Sequence, residues 1–230
     1  MKQLPLPLSA RPQPTFDNFV PGANGVVVQQ LRALAEAPAP VLLWGEAGCG
    51  KTHLLHALTA GVPGVWLGDG DPWPTAFDAA WRWLVFDEVH RLDATRQRQA
   101  FALLVEAQAH AAAWAASAPV PPVDLDLRDD LRTRLGWGLV CAVQPLGDEA
   151  TRQVLVSEAA RRGITLRDDV LDHLLQRHAR DLGFLMGLLD RLDHFALAQA
   201  RPVTLPLLRR MVAEAPTLDD AHAATCLPST

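Results

Sequence analysis

Val41-Leu42-Leu43-Trp44 is an apolar run that passes directly into Gly45-Glu46-Ala47-Gly48-Cys49-Gly50-Lys51-Thr52, and Leu54, Leu55 and Leu58 follow at helical spacing. Strand, glycine loop and helix in this order constrain the fold more than any other stretch of the chain. Glycines allow successive backbone N–H groups to converge on an anion, Lys51 brings a cation to the β and γ oxygens, and the Thr52 hydroxyl can ligate Mg²⁺. Gly45, Gly48, Gly50, Lys51 and Thr52 are therefore the first nucleotide-binding candidates. The same pattern also arises by accident, as a flexible glycine turn ahead of a helix. A second half of the site has to be found.

Leu84-Val85-Phe86-Asp87-Glu88 supplies it, as an apolar strand ending in two carboxylates. Such an ending suits the C-terminal edge of a parallel sheet, where the ligands of open α/β folds collect. Asp87 is placed to hold Mg²⁺ with Thr52, and Glu88 to orient and polarise the water that attacks a γ-phosphate. Acidic residues after a strand are also common as a solvated turn or helix cap, but not often at this distance after a phosphate loop. The next residues make the string DEVH, a superficial likeness to a helicase box in a chain with too little sequence for a second motor domain. A further strand is expected over Ala111 to Ala116, ending at Ser117, with the proline-rich segment Pro119 to Pro122 irregular behind it. Ser117 is either a γ-phosphate sensor or an ordinary strand-end hydroxyl. Val65 to Leu67 and Leu139 to Val143 complete five strands with helices between them. From Leu146 the period is helical throughout: a helix from Asp148 to about Arg162 with Gly163 behind it, then helices near Asp168–His178, Leu182–Ala200 and Leu205–Ala213. The expected fold class is α/β, a five-stranded parallel sheet sandwiched by helices, followed by a small all-α domain.

The chain of 230 residues is 49% apolar, enough for a large domain or two small ones. A formal net charge of −5 argues against a broad basic surface that grips nucleic acid directly. Cys49, Cys141 and Cys226 are distant from one another and form no CxxC pair, so reduced thiols are expected and no zinc site. Apolar stretches are interrupted well before membrane-spanning length, and Pro5 and Pro7 divide the N-terminal one, so the expectation is a cytoplasmic protein with no membrane partner.

Thr15-Phe16-Asp17-Asn18-Phe19-Val20-Pro21-Gly22 is similar to the FDNFVxG opening of DnaA, and Leu131-Arg132-Thr133-Arg134-Leu135-Gly136-Trp137-Gly138-Leu139 resembles the stretch of DnaA that contains SRFxWGL. The chain thus resembles the DnaA-like AAA+ family over nearly its whole length. The resemblance implies that Phe19 and Val20 border an adenine pocket and that Arg134 is an arginine finger; read without it, Arg134 is a surface helix residue paired with Asp129 or Asp130. The sequence ends after the helical lid, where DnaA continues into a helix-turn-helix domain, so it is not expected to be a complete initiator. Members of the family without that domain that begin QL[SP]LPL are regulatory inactivators whose N-terminal motif binds the β sliding clamp, and Gln3-Leu4-Pro5-Leu6-Pro7-Leu8 fits that motif at every position. Gln3, Leu4, Leu6 and Leu8 become clamp-binding candidates. A Gln amide at a groove mouth and two leucines on a proline-stiffened strand are chemically suited to this; without the family such a hexapeptide reads as a disordered tail. The expected organisation is a clamp-binding tail over 1–10, an AAA+ domain over 11–145, a lid over 146–215 and a tail over 216–230. Expected cofactors are ADP or ATP with Mg²⁺, and expected partners are DnaA, the clamp, DNA indirectly through the clamp, and possible further copies of the chain.

One departure from the family pattern concerns the lid. The position where a sensor arginine is expected holds Gly183, with Arg180 three residues earlier as a candidate substitute. Two other functions stand beside the inactivator: a helicase loader of the DnaC type, which would carry a helicase-binding domain and basic DNA contacts, and an autonomous ATPase resting on Asp87 and Glu88. Intrinsic hydrolysis is expected to be weak at most. His53 and His56 read as packing or solvent-facing residues, and Trp66, Trp73, Trp81 and Trp83 as packing rather than platforms for bases.

Overall fold

The computed structural model describes residues 13–68, 72–178, 182–199 and 201–214, and the chain divides into two compact units between Gly147 and Asp148. The clamp-binding candidates Gln3, Leu4, Leu6 and Leu8, the lid residue Arg180 and the tail over 216–230 lie outside the described residues.

The first unit runs α1 (Gly25–Glu36), β1 (Val41–Trp44), α2 (Lys51–Thr59), β2 (Gly64–Trp66), β3 (Trp83–Phe86), α3 (Ala94–Ala109), β4 (Ala113–Ala118), α4 (Asp129–Leu135) and β5 (Leu139–Ala142). Its strands form one parallel sheet in the order β2-β3-β4-β1-β5. Because successive strand side chains point to opposite faces, two separate cores form. Val41 and Leu43 of β1 join Trp83 and Val85 of β3 under Leu31 of α1 and Leu54, Leu55 and Leu58 of α2. On the other face Leu42, Leu84, Phe86 and Trp114 meet Leu103 and Leu104 of α3 and Leu131 and Leu135 of α4. The expected three-layer α/β architecture is the one observed.

β4 departs from expectation in register. It starts two residues later than the sequence pattern suggests and runs one residue past Ser117 to Ala118, so Ser117 is a fully buried member of the strand, paired with Leu43. His110 and Ala111 absorb the difference: α3 extends to Ala109 and Ala111 turns the chain at φ 54°. Asp93 fixes the other end of α3 by accepting hydrogen bonds from the N–H groups of Thr95 and Arg96.

The second unit consists of α5 (Asp148–Arg161), α6 (Asp168–His178), α7 (Leu182–Gln199) and α8 (Leu205–Glu214) around Leu155, Leu171, Leu185, Leu192 and Leu208. Gly163 at φ 73° ends α5, its N–H donating to Ala160 O while the N–H of Ile164 donates to Ala159 O, a Schellman closure. Next to this turn the Arg162 side chain is only 4% exposed and bridges Glu158 at 2.9 Å and Asp190 at 2.7 Å, tying α5 to α7, while its Nη1 has no hydrogen-bond partner among the described residues. Arg161 also holds Glu158, so its carboxyl lies below the usual carboxylate range. Arg162→Ala leaves acidic groups in a poorly hydrated place, and is expected to destabilise this unit by about 3 kcal/mol, read as a lower urea midpoint. A depressed carboxyl contributes stability above its unfolded pKa of about 4.3, so the stability from Glu158 is lost as pH falls through the acid range.

No helix among the described residues is long and apolar enough to cross a membrane.

Candidate nucleotide site and a separate arginine

The phosphate loop leaves β1 through Gly45 at φ 153° and turns at Gly48 and Gly50, φ 74° and 100°. Gly45 lies so close to the end of β5 that an added Cβ would sit 2.3 Å from Val143 O. Gly50 caps α2 with no side-chain hydrogen bond, which leaves the first N–H groups of the helix for an anion. Lys51 Nζ donates to Gly45 O at 2.7 Å and to Glu46 O at 2.8 Å, holding its ammonium over the loop. Burial pushes the Cys49 thiol up against the pull of Lys51, which keeps it protonated.

The ends of β3 and β4 bring the second half of the site to the loop. Thr52 Oγ1 donates to Asp87 Oδ2 at 2.9 Å, and Ser117 Oγ donates to Asp87 Oδ1 at 2.5 Å while accepting from Glu88 N at 2.7 Å. Ser117 is thus the buried orienter of Asp87, a connection its position in the sequence does not disclose. Hydroxyl and carboxylate side by side are the oxygen donors Mg²⁺ prefers when phosphates supply the rest. Glu88 adopts φ 54°, a strained value for a residue with a side chain. Its carboxylate is held by Arg91 Nη1 at 3.0 Å. Partial desolvation lowers the pKa of His90 beside it, with the Glu88 carboxylate opposing that shift.

Above α2, the segment opening at Thr15 is closed by reciprocal bonds, Thr15 N to Asn18 Oδ1 at 2.9 Å and Asn18 N to Thr15 Oγ1 at 3.2 Å. It docks through His53 Nε2 on Thr15 O at 2.9 Å and through the Phe19 ring, which lies 2.7 Å from where a Cβ on Gly50 would be. The structure therefore brings Phe19 together with the loop, with Val20 next to it and 40% exposed. Sequence reasoning missed Asn24. It is 2% exposed, donates from Nδ2 to Gln144 O at 2.8 Å and accepts from Gln144 N at 2.7 Å, locking this segment to the chain after β5. An asparagine at a helix start reads as a cap, and no spacing distinguishes a clasp across 120 residues. The tryptophans pack as expected: Trp83 is in the core, Trp66 stacks on His56 at 3.9 Å, and Trp73 lies under Arg96 and bonds to Gly68 O.

Arg134 stands apart from these residues. The N–H of Leu139 donates to Pro40 O, so β5 begins beside the start of β1, whereas Gly45 follows its end. One strand length, roughly 10 Å, separates the level of the link that follows Arg134's helix from the phosphate loop of the same chain. The carboxylates expected to pair with Arg134 are already taken, Asp129 by Arg132 at 2.5 Å and Asp130 by Arg128 at 2.6 Å. Arg134 makes no ion pair among the described residues and lies over the Trp137 ring at 4.9 Å.

A glycine loop on β1, a carboxylate at the end of β3 and a hydroxyl on β4, followed by a four-helix unit, define the AAA+ class of P-loop proteins. Residues 11–64 match the family model of the bacterial DnaA ATPase domain and residues 148–212 that of the Hda lid domain. The two matches fall one on the start of the first unit and one on most of the helical unit. Its fold is that of domain III of the Thermotoga maritima replication initiation protein DnaA (TM-score 0.74, 19% identity, 89% of this chain and 97% of that one). AMPPCP-bound DnaA from Aquifex aeolicus is also similar (0.62, 18%, 78% and 65%), as is the Thermotoga maritima RuvB Holliday junction branch migration motor (0.65, 17%, 90% and 74%).

Proposed function

We propose that this protein is a negative regulator of bacterial replication initiation, which stimulates ATP hydrolysis by DnaA and converts DnaA-ATP to DnaA-ADP. The observation that carries the reading is Arg134, a guanidinium without a carboxylate partner among the described residues, at the end of the sheet remote from its own phosphate loop. The Hda-type lid behind the AAA+ unit supports it. In its own site the amides of Gly45 to Gly50 and the Lys51 ammonium would bind the phosphates of ADP or ATP, with Phe19 and Val20 bordering the base. Thr52 and Asp87 would hold Mg²⁺, which supplies charge neutralisation between phosphate oxygens, and Ser117 fixes the Asp87 carboxylate for that task. Intrinsic turnover would be slow, because Arg91 draws the Glu88 carboxylate into an ion pair.

Arg134 would act in trans, spreading positive charge over the γ-phosphoryl oxygens in DnaA as charge develops there. Gln3, Leu4, Leu6 and Leu8 would tether the protein to the β sliding clamp, so that stimulation follows clamp loading on new DNA in the cytoplasm. The test is phosphate release from ATP-loaded DnaA with this protein, ADP and DNA-loaded clamp. Stimulation well above DnaA alone is expected, and none with reagents proven active would refute the function. Gln3→Ala with Leu6→Ala is expected to lower clamp affinity at least tenfold in co-elution or surface-binding assays; undiminished binding would remove the tether from the scheme.

A further inference from the structure

The last turn of α4, which carries Arg134, and the short link from it to β5 are built together. Trp137 N donates to Arg134 O at 3.1 Å, and Gly136 N donates to Arg132 O and Thr133 O, so the backbone under Trp137 is fixed to the last turn of the helix. On its other side Gly138 passes so close to Pro40 that an added Cβ would lie 2.6 Å from the carbonyl oxygen. Yet the indole between these two fixed glycines is 69% exposed, an unusual position for the largest side chain. Its face carries the Arg134 guanidinium at 4.9 Å. Of the three arginines in this segment, Arg128 and Arg132 are held by carboxylates and Arg134 by a ring alone.

A carboxylate partner would neutralise the finger and have to be broken before a phosphate could replace it. A ring positions the guanidinium by its quadrupole and leaves all its N–H donors and its charge available. We infer that Trp137 is the positioning residue for Arg134: it orients the guanidinium for the γ-phosphate in the partner's site without competing for it. The inference rests on the proposed function and adds to it a residue that acts through Arg134.

The test uses the full-length protein in the DnaA hydrolysis assay, with Trp137→Ala, Trp137→Phe and Arg134→Ala titrated beside the wild type. Trp137→Ala should lower the maximal stimulated rate by on the order of tenfold, leave the half-saturating concentration within about twofold, and leave nucleotide binding in its own loop unchanged, while Trp137→Phe restores most of the rate. A maximal rate equal to wild type in Trp137→Ala, or an effect confined to the half-saturating concentration, would overturn the inference and make the indole a docking contact. If Arg134→Ala retains full stimulation, the proposed function fails and Trp137 has no finger to orient. A second readout is independent of DnaA. With 5-fluorotryptophan incorporated, the resonance assigned to Trp137 by its loss in Trp137→Phe should shift in Arg134→Met; an unmoved resonance counts against the stack itself.

Discussion

Arg134→Ala is expected to reduce stimulated hydrolysis by DnaA about 10³-fold, to the level of DnaA alone, with clamp binding and nucleotide binding unchanged. The size follows from the chemistry of a guanidinium supplied in trans, for which losses of 10³ to 10⁵ are typical, about 4 kcal/mol at the lower end. The selectivity follows from the structure. The side chain is only half-buried and makes no ion pair among the described residues, so its removal opens no cavity and leaves no buried partner unsatisfied. Arg134→Lys is expected to recover little, because an ammonium cannot offer the same planar fork. Phosphate release under single-turnover conditions reads both variants, and a rate within threefold of wild type for Arg134→Ala would exclude the arginine as the finger.

The second large effect is expected at Gly45. Alanine there would place a methyl carbon 2.3 Å from Val143 O, a backbone atom at the end of β5 that cannot rotate away. The loop would have to shift, displacing the carbonyl that holds Lys51 and the amides behind it. Gly45→Ala is expected to cost on the order of 3 kcal/mol of stability and to lower nucleotide affinity at least a hundredfold. Gly61→Ala is the control, since Gly61 has φ 72° but nothing within 4 Å of an added Cβ. It should cost about 1 kcal/mol from backbone strain alone and leave affinity intact. Equal behaviour of the two variants in a nucleotide titration would show that the contact with β5 does not shape the loop.

These sites differ in how far they could be read before the fold was known. β1, the glycine loop and α2 were legible because the chemistry is local: an apolar run, left-handed turns that demand glycine, and leucines on one helix face. Asp87 was legible as the polar end of an apolar strand. Ser117 was legible as the end of a strand but the bounds of that strand were not, since Ala111 to Ala118 is mostly alanine and has no alternation to set its phase. The pairing of β4 with β1 and β3 sets that phase instead, and it is a property of the sheet. Asn24 and Gln144, and Arg91 with Glu88, depend on where the chain returns, which side-chain periodicity does not encode. Arg134 was recognised from family likeness; its lack of a carboxylate, with Asp129 and Asp130 in the same helix, is visible only once Arg128 and Arg132 are seen to claim them.

The parallel pairing of β1 with β5 gives the AAA+ unit a polarity. Glycine loop and arginine stand at opposite ends of the same two strands, so two such units cannot exchange fingers through a twofold axis that buries one end of each. Contact of arginine end with loop end is head-to-tail, a heterologous association that leaves one donor end and one acceptor end unused at the extremities. Any open assembly built on this contact has one polarity along its length, and a unit seated at its terminus with the arginine inward offers the next arrival a loop but no finger.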